Sequence, residues 1–265
     1  MVEPRREADR LMGHVLATDR GGVATRRRDP IDPALARRFL GLVGRRTRRE
    51  PLQYLVGEQE FFGLALRVDP RALIPRPETE LLVSRVLALG LPQGARVADL
   101  GTGSGCIAIA LAASREDLRL FALDRSARAI ELAGENAERC SVAERITFVI
   151  GDFAGPPPQW HGRLDAVVAN PPYVSEEEWK LLSPEVRDHE PREALVPGPR
   201  GTEAYRALAP AAVRLLRPGG WLVLELGYRS EAPAREALVP HGYDAVEVFP
   251  DLRGIPRVLQ ARRSA

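Results

Sequence analysis

Cysteine, histidine and lysine are all scarce in this chain of 265 residues. There are two cysteines, Cys106 and Cys140, and the four histidines are scattered without the spacing of metal ligands. Two thiols can form neither a four-cysteine zinc site nor a disulfide framework. We therefore expect no metal site in this protein.

Long hydrophobic runs are missing as well. The amino terminus carries charged side chains where a signal peptide would carry an apolar run. No segment reaches the roughly 20 apolar residues that a membrane span requires. The sequence therefore predicts a cytoplasmic protein without a membrane partner.

Net charge is small, at +2, so the whole chain shows no general affinity for nucleic acid or anionic membranes. The arginines are nevertheless uneven, because residues 1–50 hold 13 of them against 7 acidic residues. The densest runs are Arg26-Arg27-Arg28 and Arg45-Arg46-Thr47-Arg48-Arg49. Lys180 is the only lysine, so the chain uses arginine for nearly all its positive charge. We interpret the runs as a solvated helical face in preference to an RNA-binding surface.

Residues 1–50 show the periodicity of amphipathic helices. Apolar residues share a face at Ala8, Leu11, Met12, Val15 and Leu16, and again at Leu35, Phe39, Leu42 and Val43. Asp32 before Pro33 predicts the start of the second helix. A break is expected at Asp19-Arg20-Gly21-Gly22. We predict a small helical domain over residues 1–56.

The next segment changes character. Aromatic and aliphatic residues around Gly63 predict a β-hairpin over residues 59–68. The stretch Leu73-Ile74-Pro75-Arg76-Pro77-Glu78-Thr79-Glu80 then leads into a helix predicted over residues 80–89. Its two prolines make it rigid. It is either a domain linker or a lid across an active site, and we assign residues 57–76 to the hairpin and linker.

From Ala95 onward, strand and helix patterns alternate. Strands are predicted at 95–100, 118–123, 146–150, 164–169, 221–226, 243–249 and 257–261, with helices at 106–113, 127–139 and 203–216. Such alternation predicts an α/β fold with a doubly wound, mainly parallel seven-stranded sheet. Residues 77–265 would form this second domain.

A glycine-rich loop ends the first of these strands. It reads Asp99-Leu100-Gly101-Thr102-Gly103-Ser104-Gly105 and opens a helix of small apolar residues. Glycines let a backbone approach a ligand closely at the start of a helix. The spacing differs from the dinucleotide fingerprint Gly-x-Gly-x-x-Gly, which disfavours a nicotinamide-dependent oxidoreductase.

Acidic residues follow three strands in succession. Asp99 belongs to the glycine loop, Asp124 ends the next strand, and Asp152 ends the strand after that. Asp124 is placed to accept hydrogen bonds from a ribose, Asp152 from the amino group of an adenine, and Phe153 to stack on that adenine. Each acid alone could be a helix N-cap. Together they predict one rim that holds an adenosine.

The stretch Asn170-Pro171-Pro172-Tyr173 follows a strand predicted to be buried. The prolines stiffen it and remove two backbone donors. The Asn170 side-chain oxygen and the Pro171 carbonyl can each accept one N–H of a planar amino group, while the Tyr173 ring stacks on its flat face. The ring is expected to matter more than the Tyr173 hydroxyl. An ordinary loop closed by two prolines is the alternative interpretation.

An acid-rich rim without lysine or arginine argues against a pyrophosphate ligand. It suits adenosine joined to a cationic centre, and S-adenosylmethionine has both. Its methyl group would face Asn170. We therefore expect S-adenosylmethionine as the cofactor and S-adenosylhomocysteine as its product.

The glycine loop with Cys106 and the Asn-Pro-Pro-Tyr stretch together resemble the class I S-adenosylmethionine-dependent methyltransferases that modify planar nitrogens. Other stretches resemble one family among them, the release factor glutamine methyltransferases. These are residues 51–57, 61–64, 73–80, His189-Glu190-Pro191 and 254–258. Two stretches depart from the family pattern: residues 198–202 stand where Asp-Gly-Leu is common, and Ser230 stands where glutamine is common.

The resemblance implies a class I methyltransferase-like fold and a function. The enzyme would methylate the side-chain amide nitrogen of the glutamine in the Gly-Gly-Gln motif of bacterial peptide chain release factors. Asn170, Pro171 and Tyr173 would be catalytic, and Pro172 would join them in binding substrate. Asp99, Gly101, Thr102, Gly103, Ser104, Gly105, Asp124, Asp152, Phe153 and Asn170 would bind the cofactor.

Under this interpretation the helical domain would recognise the release factor through its arginines. One alternative is a methyltransferase for adenine or guanine amino groups, although nucleic acid is not the expected substrate. A binding module that keeps the fold without catalysis is another alternative, and the intact Asn-Pro-Pro-Tyr stretch disfavours it.

Overall fold

The computed structural model describes residues 3–265, so the first two residues of the predicted helical domain lie outside the described residues. Its helices are α1 (Pro4–Leu16), α2 (Arg20–Thr25), α3 (Pro33–Thr47) and α4 (Leu52–Val56). α3 begins where predicted, because Asp32 Oδ1 accepts hydrogen bonds from the backbone N–H groups of Ala34 and Leu35. The break lies earlier than predicted. Asp19 accepts a hydrogen bond from the backbone N–H of Gly22 at 2.8 Å and thereby caps α2.

A buried arginine joins this helical part to the rest of the chain. The Arg46 side chain, 8% exposed, lies 2.7 Å from Glu7 in α1 and 3.0 Å from Glu185 in a later helix. Arg49 also pairs with Glu185, at 2.8 Å, and Arg45 pairs with Glu50. Most arginines of the second run therefore form ion pairs within the molecule, which corrects the interpretation of this run as a solvated face. Removing one partner of the buried pair would leave an uncompensated charge.

The hairpin is formed as predicted. Strands β1 (Glu58–Phe61) and β2 (Leu64–Arg67) pair antiparallel across a two-residue turn. Phe62 and Gly63 both have positive φ, 52° and 75°, which is the conformation of the hairpin turns that match strand twist. Phe61 and Leu66 are fully buried against the large core. Helix α5 (Thr79–Leu87) follows.

The large sheet has the seven predicted strands. They are β3 (Arg96–Leu100), β4 (Arg119–Asp124), β5 (Ile146–Ile150), β6 (Leu164–Ala169), β7 (Leu216–Glu225), β8 (Tyr243–Pro250) and β9 (Pro256–Arg263). Their order is β5-β4-β3-β6-β7-β9-β8. The first five strands run parallel, and β9 pairs antiparallel with both β7 and β8.

One boundary differs clearly from the prediction. β7 begins at Leu216 instead of Trp221, because Leu216 pairs with Leu164 before a register shift brings Trp221 opposite Ala166. The intervening Pro218-Gly219-Gly220 has the composition of a turn, which concealed the strand. A bulge of this kind is set by the partner strand and is not visible in the sequence alone.

Helices cover both faces of the sheet. The helices after α5 are α6 (Cys106–Ser114), α7 (Ala127–Arg139), α8 (Glu176–Leu181), α9 (Pro184–Arg187), α10 (Glu203–Leu215) and α11 (Glu231–Leu238). The hairpin, α5 and α6 contribute to one core, and α10 and α11 to the other. α6 is buried all round, since residues 107–112 are apolar on every side. No helix in residues 3–265 has the length and apolar character of a membrane span.

The strand order reverses at β3, with β4 on one side and β6 on the other. Open α/β sheets form a crevice at such a switch point, beyond the carboxyl ends of the strands. The glycine loop after β3 and Asn170 after β6 therefore meet at one edge. The division of the chain at residues 56 and 76 stays a prediction.

Candidate active site

A cavity of about 320 Å³ lies at this edge of the sheet. Many predicted cofactor residues line it: Gly101, Thr102, Gly103, Ser104, Asp124, Asp152, Phe153 and Asn170. Pro172 lines it too. Asp99, Gly105, Pro171 and Tyr173 do not lie on its wall, and each has a different place in the structure. Most of the predicted cofactor residues thus meet at one cavity, and their part in binding a cofactor stays a prediction.

The glycine loop is held by its neighbours. The backbone N–H groups of Gly101 and Thr102 donate to the Leu123 carbonyl, at 2.7 and 3.0 Å. Gly105 has a φ of 82°, and a Cβ there would lie 2.9 Å from Ile109 Cδ1 and 3.0 Å from Ala133 Cβ. Gly105 therefore allows α6 and α7 to pack closely and supports the loop from behind the cavity.

The predicted rim of three acids contains only two. Asp124 accepts hydrogen bonds from the backbone N–H groups of Gly103 and Ser126, both at 2.9 Å, and lines the cavity. Asp152 lines it beside Phe153. Asp99 is fully buried below the loop and accepts a hydrogen bond from the Thr102 hydroxyl at 2.7 Å. Burial raises the pKa of Asp99 to about 7.

The expectation of a rim without arginine is wrong, because Arg71, Arg76 and Arg125 also line the cavity. Arg71 pairs with Asp69 and Glu135, both at 2.8 Å, and Arg76 pairs with Glu190 at 2.6 Å. Two of the three charges are thus compensated by carboxylates. Arg125 directly follows Asp124 at the end of β4 and was overlooked. Arg71 and Arg76 come from the stretch before α5, which the fold brings over the strand ends.

The proline-rich stretch forms the roof of the cavity. Residues 71–76 and Thr79 all line it. Glu190, whose side chain is 1% exposed, accepts hydrogen bonds from the Ile74 backbone N–H at 3.1 Å and from Arg76 at 2.6 Å. This pairing holds the roof to the His189-Glu190-Pro191 loop. The stretch thus lies at the active edge, where the interpretation as a lid places it, and closure over a bound cofactor stays a prediction.

Asn170 lies where the roof meets the glycine loop. Its Nδ2 donates a hydrogen bond to the Thr79 hydroxyl oxygen at 3.2 Å. A side-chain amide that donates on one side presents its oxygen on the other. No donor among residues 3–265 hydrogen-bonds the Pro171 carbonyl. Asn170 lines the cavity, whereas Pro171 is buried and lies off its wall, so the Pro171 carbonyl as second acceptor stays a prediction.

Tyr173 is held more firmly than the sequence indicated. Its hydroxyl donates to Glu225 Oε1 at 3.3 Å, so the hydroxyl does have a partner. Burial raises the pKa of Tyr173 far above its ordinary range. A Cβ on Gly227 would lie 2.5 Å from the Tyr173 ring. Glycine at 227 therefore leaves the space that the ring occupies.

Gly201 is another residue that the sequence did not single out as functional. Its φ is 76°, and a Cβ there would lie 2.7 Å from the Tyr173 carbonyl oxygen and 2.8 Å from the Ser175 nitrogen. The segment 198–202 departs from the family pattern, yet glycine stands at the position that touches the bracket. The departure therefore leaves this contact intact.

We expect Gly201→Ala to lower both stability and turnover, because the new methyl group must push away the Tyr173–Ser175 backbone, which ends the bracket. Gly94→Ala is the matched control, since Gly94 has a φ of 73° and a methyl group added there would meet no other atom within 4 Å. The control should lose only the roughly 1–2 kcal/mol of a left-handed backbone. Chemical unfolding and single-turnover rates measure both effects. Equal losses in the two variants would contradict the contact argument.

Among the described residues, no cluster of three or more histidine, cysteine or acidic side chains has the arrangement of a metal site.

Three features together define a class I methyltransferase. They are the sheet with its antiparallel last pair of strands, the glycine loop, and the Asn-Pro-Pro-Tyr stretch beside the same cavity.

Comparisons with known proteins agree with this class. The family described as "Methyltransferase small domain" matches residues 77–185, and the family described as "PrmC N-terminal domain" matches residues 2–57. A solved SAM-dependent O-methyltransferase from Thermotoga maritima shares the fold, with a TM-score of 0.52 at 16% identity over 74% of this chain and 68% of that one.

Relatives that match along nearly the whole chain are more specific. The release factor glutamine methyltransferase of Nitratidesulfovibrio vulgaris is 44% identical, over 98% of this chain and 89% of its own. The protein of the same name from Moorella thermoacetica is 42% identical, over 98% and 92%. This chain belongs to the release factor glutamine methyltransferase family.

Proposed function

We propose that this protein transfers the methyl group of S-adenosylmethionine to the side-chain amide nitrogen of the glutamine in the Gly-Gly-Gln motif of bacterial peptide chain release factors. The observation that carries the proposal is the placement of Asn170 at the cavity, with its amide fixed by Thr79. Membership of the family supports the substrate. The proposal includes a cytoplasmic location, where release factors act.

The cavity fits the cofactor in the donors and acceptors that it offers. Asp124 presents a carboxylate for the ribose hydroxyls, and Asp152 with Phe153 offers an acceptor and a ring for adenine. Gly101 and Gly103 keep the loop free of side chains beside the ligand. When bound, S-adenosylmethionine supplies an electrophilic methyl group, and all further steps concern the protein's own residues.

An amide nitrogen is a poor nucleophile because its lone pair is delocalised into the carbonyl. Asn170 Oδ1 and the Pro171 carbonyl would accept its two N–H groups, which holds the nitrogen in place and helps to localise that pair. Orientation of this kind can supply up to about 7–11 kcal/mol of a barrier. Asparagine is no general base, and none is needed before transfer, because the nitrogen becomes acidic as positive charge develops on it.

The proposal is tested with labelled S-adenosylmethionine, the whole chain and two substrates, a purified release factor and total RNA. A release factor with the glutamine of its Gly-Gly-Gln motif changed to alanine is the matched control. Label should enter only the unmodified release factor, and peptide mapping should place it on that glutamine. Label in RNA without label in the release factor would overturn the proposal.

We further propose that the helical domain contacts the release factor through exposed arginines. Arg26, Arg27 and Arg28 are exposed, and of these Arg27 also lies 3.7 Å from Asp9. Changing all three to glutamine should raise KM for the intact release factor about tenfold, since exposed pairs contribute up to about 1 kcal/mol each. KM for a short Gly-Gly-Gln peptide should not change.

Arg119→Gln is the control for charge, because Arg119 is exposed at the opposite edge of the sheet, where β4 begins. Steady-state kinetics at low salt gives the comparison, and added salt should reduce the difference. An equal rise in KM for the peptide and the intact release factor would mean that the arginine run acts on the fold and not on the partner.

A further inference from the structure

Glu225 is a buried carboxyl for which the proposed reaction has so far no role. It ends β7 beside the bracket that follows β6, since these strands pair in parallel with Ala169 opposite Leu224. It is 1% exposed and does not line the cavity. A carboxyl so far from water is costly unless other groups hydrogen-bond it. Its partners therefore indicate why it is there.

One hydroxyl group of the active site binds this carboxyl, and a second lies near its free oxygen. Tyr173 donates to Oε1 at 3.3 Å. Glu225 Oε2 is buried and has no hydrogen-bond partner among the described residues. The Thr79 hydroxyl lies near enough to lower the pKa of Glu225. The Thr79 oxygen already accepts a hydrogen bond from Asn170. Its single proton is thus free to point toward Glu225.

We propose that Glu225 is a positioning residue, which acts through Thr79 to fix the Asn170 side-chain amide with its oxygen toward the cavity. The same carboxylate holds Tyr173 by its hydroxyl. The inference rests on the proposed function, because it concerns the same methyl transfer.

The chemical requirement is an acceptor without a proton. An ionised carboxylate only accepts hydrogen bonds, so Thr79 must donate to it and must in turn accept from Asn170 Nδ2. A glutamine amide or a protonated carboxyl can donate to the Thr79 oxygen instead. Thr79 is then free to turn its proton toward Asn170, which draws the amide oxygen away from the substrate. Loss of the negative charge at Glu225 thus lets the hydrogen bonds that run from Asn170 through Thr79 to Glu225 reverse their direction.

This arrangement predicts a pH dependence. Burial raises the pKa of Glu225 to about 7. The titratable and charged side chains that act on Glu225 or lie against it are Tyr173, Arg257, Glu78, Tyr205 and Cys106. Turnover should therefore fall as the pH drops through about 7 and Glu225 takes up a proton.

Stability should change in the opposite direction. Between its ordinary value of 4.5 and about 7, the folded state binds the proton more tightly than the unfolded state. The stability contributed by Glu225 thus falls as pH rises through this window and stays low above it. A neutral side chain at 225 should therefore stabilise the fold at pH 8. A variant that is more stable and less active cannot owe its loss of activity to unfolding.

The first test is Glu225→Gln, measured by single-turnover methylation of a release factor, calorimetry with S-adenosylmethionine and thermal unfolding. At pH 8 turnover should fall about 10²-fold, the loss typical of a misplaced group. Cofactor affinity should stay within about threefold, and the unfolding midpoint should rise. The acid limb near pH 7 should disappear. Wild-type turnover with an unchanged pH profile would overturn the proposal.

The second test separates the hydroxyl of Thr79 from its shape. Thr79→Val keeps the shape but leaves Asn170 Nδ2 without an acceptor, so turnover should fall as in Glu225→Gln. Thr79→Ser keeps the hydroxyl and should restore the rate to within about threefold. Thr147→Val is the matched control, because Thr147 is an exposed residue of β5, and this change should leave the turnover rate unaltered.

The outcomes also separate this inference from the proposed function. If the wild-type protein fails to methylate the release factor, the proposed function is wrong. If the wild-type protein methylates it and Thr79→Val does so at the same rate, the function stands and the role of Glu225 is wrong.

Discussion

Asn170→Ala is expected to slow methyl transfer by about 10²–10³-fold, the loss seen when one preorganised hydrogen-bonding group is removed. Alanine removes the acceptor for one substrate N–H and leaves Asp124 and the glycine loop in place. Cofactor affinity should therefore change little. Single-turnover methylation of a release factor and calorimetry with S-adenosylmethionine give the two quantities.

Asn170→Asp is a sharper form of this experiment. Aspartate keeps the shape and an acceptor oxygen but cannot donate to the Thr79 hydroxyl, which would then give its proton to one of two neighbouring carboxylates. The added charge near the cationic sulfur should keep or tighten cofactor binding, while turnover falls. If Asn170→Ala methylates the release factor at the wild-type rate, the bracket is only a loop and the mechanism is wrong.

Asp124→Ala should have the largest effect on cofactor affinity, at least about 10²-fold. Hydrogen bonds to a charged group contribute about 1.5–3 kcal/mol each, and two ribose hydroxyls would lose their acceptor together. The Gly103 and Ser126 N–H groups would also lose their partner, so the loop itself should loosen. Calorimetry measures the affinity.

Asp117 offers a matched control for this change. It also accepts a hydrogen bond from a backbone N–H, that of Gly94 at 3.0 Å, but it lies before β4 at the opposite edge of the sheet. Asp117→Ala should reduce stability without changing cofactor affinity. Unchanged affinity in Asp124→Ala would remove Asp124 from the site.

Parts of the site that lie within one short stretch were predictable from sequence. The glycine loop and the Asn-Pro-Pro-Tyr stretch each follow a strand whose apolar run is easily recognised, and parallel strands bring their carboxyl ends to one edge. Asp124, Asp152 and Phe153 were placed by the same reasoning and do line the cavity, while their part in cofactor binding stays a prediction. Asp99 was misplaced because a position in the chain does not say whether a side chain points into the cavity or into the core.

Contacts between distant stretches were not predictable in this way. Thr79 and Asn170 lie 91 positions apart, and Tyr173 and Glu225 lie 52 apart. Glu190 was noticed only as part of a family string, without its bond to Arg76. Nothing in composition or periodicity links such residues, because their meeting depends on how the roof packs over the strand ends.

Local sequence patterns were enough to specify the α/β alternation, the helical amino-terminal part, the hairpin and the two stretches that meet at the active edge. They suffice because hydrophobic period, caps and turn residues act over a few positions. Only the folded molecule shows which acids face the cavity, which arginines pair with carboxylates and which carboxyl lies behind Asn170. Those properties depend on burial and on the direction of hydrogen bonds, and both are set only when remote segments pack together.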